Sequence, residues 1–139
     1  MIRAGVIGAT GYAGSILVTL LLDHPDVELV YLASHSYSGQ RYSDVYPALL
    51  GHCDLILQEE NIEEASDLCD VLFLALPHTL ASKKVTQAII EKTVLIDLGA
   101  DYRLSDVATY EAWYECKHYS KELLDNAVYG LPELHRTKI

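Results

Sequence analysis

The sequence has 139 residues, half of them apolar and 22% charged, which suits one globular domain with a core of its own. Its formal net charge of −10 excludes a basic face for nucleic-acid phosphates, and no apolar run approaches the roughly 18–20 residues of a membrane span. Three cysteines, Cys53, Cys69 and Cys116, form no C-x-x-C pair, and six dispersed histidines form no H-x-x-x-H pair, which excludes a disulfide framework or an ordinary zinc site.

The N-terminus runs directly into the apolar stretch Ile2 to Ile7, which ends at glycine as a buried parallel strand does. It lacks the charged head and cleavage site of a signal peptide, so a cytoplasmic location is expected. Gly11 to Asp23 predicts a helix with Ile16, Leu17, Leu20 and Leu21 on its inner face, stopped by Pro25. Val27 to Ala33 is a second strand. Ser34 to Gly51 is polar and Tyr-rich, and reads as loop with one helical turn. Leu55 to Leu57 is a short strand candidate, and Asn61 to Leu68 a short acidic helix. Val71 to Leu76, closed by Pro77, is the plainest buried strand. Thr79 to Lys92 predicts a helix with Val85, Ala88 and Ile89 inward, and Val94 to Leu98 a further strand. After Asp101 come a helix over Val107 to Glu115, another near Ser120 to Ala127, and a turn around Pro132. Such alternation specifies a doubly wound, mostly parallel α/β sheet with helices on both faces, in one domain spanning residues 1–139.

Gly8-Ala9-Thr10-Gly11-Tyr12-Ala13-Gly14 lies between the first strand and the first helix, where a parallel sheet presents a helix N-terminus to phosphate. Gly8 allows a tight turn off the strand, Gly11 clears the approach of a pyrophosphate, and Gly14 lets the helix pack on the sheet. The spacing is G-x-x-G-x-x-G, with Thr10 at the usual middle glycine, and it gives a Rossmann-type dinucleotide site. At the end of the second strand an NAD site usually carries an acid that grips the ribose 2′-hydroxyl. This chain has Ser34-His35-Ser36 there, donors suited to a 2′-phosphate, so NADP is the expected cofactor. Leu76-Pro77-His78 ends another strand and is expected to face the same dinucleotide. Arg103 is the candidate for gripping an anionic substrate; its other reading is a surface ion pair with Asp101 or Asp106.

Several segments then occur in order: Gly8 to Gly14, Leu74-Ala75-Leu76-Pro77-His78, Ile96 to Leu104, Tyr110-Glu111-Ala112-Trp113-Tyr114, and Val128-Tyr129-Gly130-Leu131-Pro132-Glu133-Leu134. Together they resemble the N-terminal half of N-acetyl-gamma-glutamyl-phosphate reductase, a relative of aspartate-semialdehyde dehydrogenase, over essentially the whole chain. The resemblance implies NADPH-dependent reduction of an acyl phosphate to an aldehyde in arginine biosynthesis by a homo-oligomeric parent. It implies cofactor contacts from Gly8, Thr10, Gly11, Tyr12, Ala13, Gly14, Ser34, His35, Ser36, Leu76, Pro77 and His78, and substrate contacts from Arg103 and Glu133. His35 stands where the family leads one to expect arginine, and Gly99 where it leads one to expect serine.

The family's nucleophilic cysteine, in an Asn-Pro-Gly-Cys setting, and its histidine base have no counterpart before Ile139. None of Cys53, Cys69 and Cys116 has that context, so the chain is expected to bind NADP(H) without turnover. An apolar patch around Trp113, Tyr114, Leu131 and Leu134 is expected where the missing half would pack. Two other readings stand beside this one. An epimerase or short-chain reductase shares the glycine spacing but needs Tyr-x-x-x-Lys, which no tyrosine here completes. A free-standing nucleotide-sensing module would not require the segments at 100–103 and 129–133.

Overall fold

The computed structural model describes residues 1–139. Strand β1 (Ile2–Ile7) leads through helix α1 (Tyr12–Leu22) to β2 (Val27–Ala33). Two short turns follow, α2 (Tyr42–Val45) and a 3-10 turn at Pro47–Leu49, then α3 (Ile62–Leu68) and β3 (Val71–Leu74). Next come α4 (Leu80–Lys84), α5 (Gln87–Ile90) and β4 (Val94–Asp97). The chain closes with α6 (Val107–Tyr114), a 3-10 segment at Lys121–Asn126 and α7 (Pro132–His135). No helix is long and apolar enough to cross a membrane.

The strands form one four-stranded sheet in the order β2-β1-β3-β4, and every pairing is parallel. β1 sets Ile2 to Ile7 against Val27 to Ala33 on one side, and Ala4 to Ile7 against Val71 to Leu74 on the other. The chain therefore leaves β1 toward β2 and later returns on the opposite side of β1. That reversal opens a crevice at the carboxyl ends of β1 and β3.

Both faces of the sheet are covered, as the alternation predicts. On one face Ala4, Val6 and Leu32 pack with Val18 and Leu21 of α1 and with Tyr42. On the other, Ile7, Leu72 and Leu74 pack with Ile62, Ala65, Ala81, Val85 and Ile89. Each fully buried aliphatic side chain contributes about 2 kcal/mol, which is why the central strands β1 and β3 hold the fold.

Several expectations shift. The inward face of α1 is Gly14, Val18 and Leu21, while Ile16 and Leu20 are 64% exposed. Periodicity allowed either face, and the close seating of Gly14 on the loop chose this one. The segment 79–92 is two helices, because Val85 and Thr86 take extended conformations between them. The second helix restarts with a new phase, which buries Ile89 but leaves Ala88 exposed. β3 ends at Leu74, although the Ala75 amide still donates to the Ile7 carbonyl at 2.9 Å. The 55–57 segment makes no strand, only isolated bridges: Ile56 within it pairs with Arg41, and Gln58 just after it with Ala33. The segment near 120–127 is a 3-10 turn rather than an α-helix.

Candidate functional site

Because all four strands are parallel, the segments following each strand gather at one edge of the sheet. Gly8 leaves β1 with φ +78, and a Cβ on it would lie 2.4 Å from the Ala75 carbonyl oxygen. Gly14, in the first turn of α1, would place a Cβ 2.2 Å from the Gly8 carbonyl oxygen. Glycine is required at both positions by close approach, and these contacts weld the loop to β3 and α1.

The loop's amides divide into two sets. Gly8 and Ala9 donate to the Ala33 carbonyl at 3.0 and 2.9 Å, and Gly11 donates to Gly8 at 3.1 Å. The amides of Thr10, Tyr12, Ala13 and Gly14 meet no acceptor within the chain. They converge where the α1 dipole is positive and its first turn carries no acid, the arrangement that binds a phosphate anion.

Tyrosines from the 34–51 segment hold this loop from beneath. The Tyr42 hydroxyl donates to the Ala9 carbonyl at 3.0 Å, and the Tyr46 hydroxyl to the Thr10 carbonyl at 2.7 Å. Burial pushes the Tyr42 phenol well above its ordinary range, which keeps it a donor at all working pH values. Neither tyrosine is marked by a motif in a stretch whose composition predicts mainly loop; its density of tyrosine is the one signal the sequence carries. Tyr42→Phe is expected to cost about 1–2 kcal/mol in urea unfolding, because the buried Ala9 carbonyl loses a donor.

The residues at the end of β2 take different places. Ser34 is buried, and its hydroxyl pairs with Thr10 Oγ1 at 2.6 Å. His35 and Ser36 are exposed, and no carboxylate stands among them. After β3, Leu76 is buried while Pro77 and His78 are exposed. The His78 ring lies 6.2 Å from the Tyr114 ring.

Beyond β4 an open cleft of about 1080 Å3 is lined by Ile96, Asp97, Arg103, Tyr129 and Ile139, among others, and does not reach the glycine loop. Arg103 makes neither the ion pair with Asp101 nor that with Asp106. Its guanidinium donates to the Gly99 carbonyl at 3.3 Å and lies 5.8 Å over the Tyr129 ring. Glu133 is exposed on α7, outside that lining.

Asp97 escaped the sequence reading. Its Oδ1 accepts from the Gly99 amide at 2.9 Å, while Oδ2 is buried without a partner. Burial raises its pKa above the ordinary carboxylate value. A folded-state pKa above the unfolded value of about 4 means that stability is full below it and is lost as pH rises through the folded value. Asp97→Asn is therefore expected to raise the thermal midpoint at pH 7, with the gain vanishing near pH 3. An acid at the end of a strand was the available signal.

Neither Cys53 nor Cys69 is an activated thiol. Cys53 and Cys69 are buried, and burial pushes the Cys69 thiol up to about 11. Trp113 and Leu134 are 78% and 73% exposed, as expected, while Tyr114 and Leu131 are half-buried.

A doubly wound parallel sheet with free helix-start amides at its switch point defines a dinucleotide-binding domain of the dehydrogenase class. The family model described as semialdehyde dehydrogenase, NAD binding domain, matches residues 3–139, and the chain belongs to that family. Among curated relatives, the N-acetyl-gamma-glutamyl-phosphate reductase of Heliobacterium modesticaldum is 50% identical over 100% of this chain and 40% of its own length. That of Desulforamulus reducens is 52% identical over 98% of this chain and 39% of its own. The chain thus spans about 40% of the length of these relatives. Aspartate semialdehyde dehydrogenase from Candida albicans, solved with NADP, superposes with a TM-score of 0.59 at 27% identity, over 74% of this chain and 31% of that one.

Proposed function

We propose that residues 1–139 are the NADP(H)-binding domain of a cytoplasmic, homo-oligomeric N-acetyl-gamma-glutamyl-phosphate reductase. The observation that carries the reading is the set of free amides at Thr10, Tyr12, Ala13 and Gly14, opposite a β2 end without a carboxylate. These groups fit a pyrophosphate and a 2′-phosphate respectively. The names of the curated relatives support the substrate class, an N-acetylated glutamyl phosphate.

When bound, NADPH supplies the hydride that takes an acyl group to an aldehyde. This chain's own residues bind and orient. Gly8, Gly11 and Gly14 keep the phosphate approach clear, with Tyr12 and Ala13 offering amides. His35 and Ser36 are the accessible donors for the 2′-phosphate, while Ser34 shapes the strand end through Thr10. Leu76, Pro77 and His78 form the opposite wall. Arg103 in the β4 cleft is the phosphate clamp for substrate, with Glu133 at the rim. The nucleophile comes from the remaining part of the longer protein, against which Trp113 and Leu134 would pack.

Titration of the purified chain with NADPH and NADH tests this. Saturable binding that favours NADPH is expected. Equal affinity would remove the 2′-phosphate assignment, and no binding of either would remove the site.

A further inference from the structure

We propose that Asp101, together with Tyr110, is a positioning residue for the crevice wall, holding the Pro77–Thr79 loop and hence the His78 imidazole in place for the cofactor. The inference rests on the cofactor reading above for what the loop serves, and on geometry for how it is held.

Asp101 follows β4 in sequence, yet it is fully buried. Its Oδ1 accepts from the Thr79 amide at 2.7 Å, and its Oδ2 from the Ser82 amide at 2.8 Å. The Tyr110 hydroxyl donates to Oδ1 at 2.7 Å. The carboxylate therefore faces donors on both oxygens, which is what keeps a buried charge tolerable.

One of those donors, the Thr79 amide, belongs to a strained turn, and a second, the Ser82 amide, to the first turn of α4 behind it. Thr79 has φ +74, a left-handed conformation that a β-branched residue rarely keeps unless its surroundings impose it. Thr79 gives α4 no side-chain cap of its own. Asp101 supplies that cap from a distant part of the chain and fixes the Thr79 amide at the same time. A second route reaches the same loop: the His78 ring lies beside Tyr114 with centroids 6.2 Å apart, and Tyr114 beside Tyr110 at 4.9 Å, both pairs tilted by 36°. His118 Nε2–H donates to the Asp101 backbone carbonyl at 2.8 Å, which sets Asp101 from behind. The backbone of the 77–79 loop is thus held by Asp101, and the exposed His78 ring is linked to Tyr110 through Tyr114. Anchoring α6 alone would need only the Tyr110 bond; the bond to Thr79 is directed at the loop and the bond to Ser82 at the first turn of α4 that follows it.

Amide exchange and NADPH titration of this chain, with Asp101→Asn, Tyr110→Phe and the double variant Asp101→Asn/Thr79→Gly, test the proposal. In Asp101→Asn the Thr79 and Ser82 amides are expected to exchange about tenfold faster or more, while the Leu74 amide in β3 keeps its protection. NADPH affinity is expected to fall about tenfold. Thr79→Gly makes the left-handed turn accessible without the carboxylate, so the double variant is expected to regain part of that affinity. A purely structural role would give no such rescue. If Asp101→Asn does not fold, Tyr110→Phe decides, with a smaller change of the same kind expected. Unchanged exchange at Thr79 and Ser82, or full affinity in a folded variant, would overturn the proposal. A parent chain that binds no NADPH would instead sink the cofactor reading, and the exchange arm would still decide whether Asp101 holds the loop.

Discussion

Replacing Gly14 by alanine is expected to destabilise the chain by about 2 kcal/mol and to abolish measurable NADPH binding. Helix propensity alone points the other way, since alanine is favoured over glycine by about 1 kcal/mol in a helix interior. The added Cβ, however, would lie 2.2 Å from the Gly8 carbonyl oxygen and 3.0 Å from Ala9 Cα, both backbone atoms. Overpacking of this kind costs about 1–3 kcal/mol when side chains can yield, and more when backbone must move. Gly8 has little room to retreat, because its own far side abuts the Ala75 carbonyl. The contact therefore wins over propensity, and α1 is pushed off the loop whose amides we assign to the phosphates. Urea unfolding and NADPH titration check both halves of the statement. Gly130→Ala, where a Cβ meets nothing within 4 Å, is the control, with a change within about 0.5 kcal/mol expected. An unchanged midpoint and affinity in Gly14→Ala would sink the loop assignment.

Exchanging His35 for aspartate is expected to weaken NADPH binding about 30-fold while leaving NADH nearly unaffected. His35 is exposed at the end of β2, and Ser34 beside it is turned inward to Thr10. A new carboxylate near a 2′-phosphate of charge about −1.5 to −2 would cost about 2 kcal/mol in a water-like dielectric, since a single pair of unit charges at 4 Å costs about 1. Salt should shrink the penalty, because the site is open to solvent. Equal losses for both cofactors would mean that residue 35 does not face the 2′ position, and the selectivity argument would fall. Asp70 and Arg3, paired at 2.8 Å far from this edge, offer a charge change that should leave selectivity untouched.

Much of the fold was legible because it is local. The apolar runs at 2–7, 27–33, 71–76 and 94–98 each became a strand, and glycines at 8, 11 and 14 marked the turn into α1. The N-terminus of α3 was legible as well, and there the Asn61 side chain accepts from the Glu64 amide at 3.2 Å. What failed was phase and partnership. Ile16 and Leu20 look as good a core face as Val18 and Leu21, until Gly14 is pressed against the loop and the helix can no longer rotate. The break at Val85 and Thr86 carries no proline or glycine, so nothing in the local sequence announced it.

Partnership decided the site in the same way. Ser34 read as a donor waiting for phosphate, whereas the fold pairs it with Thr10. Asp101 read as a neighbour of Arg103, whereas its carboxylate serves amides at Thr79 and Ser82. By itself the sequence determined the doubly wound sheet and the glycine loop between β1 and α1, because both follow from side-chain size and period along a few consecutive residues. Only the tertiary structure decided which hydroxyls and carboxylates stay free, because a polar group buried in the fold takes whatever donor lies nearest in space, however far along the chain.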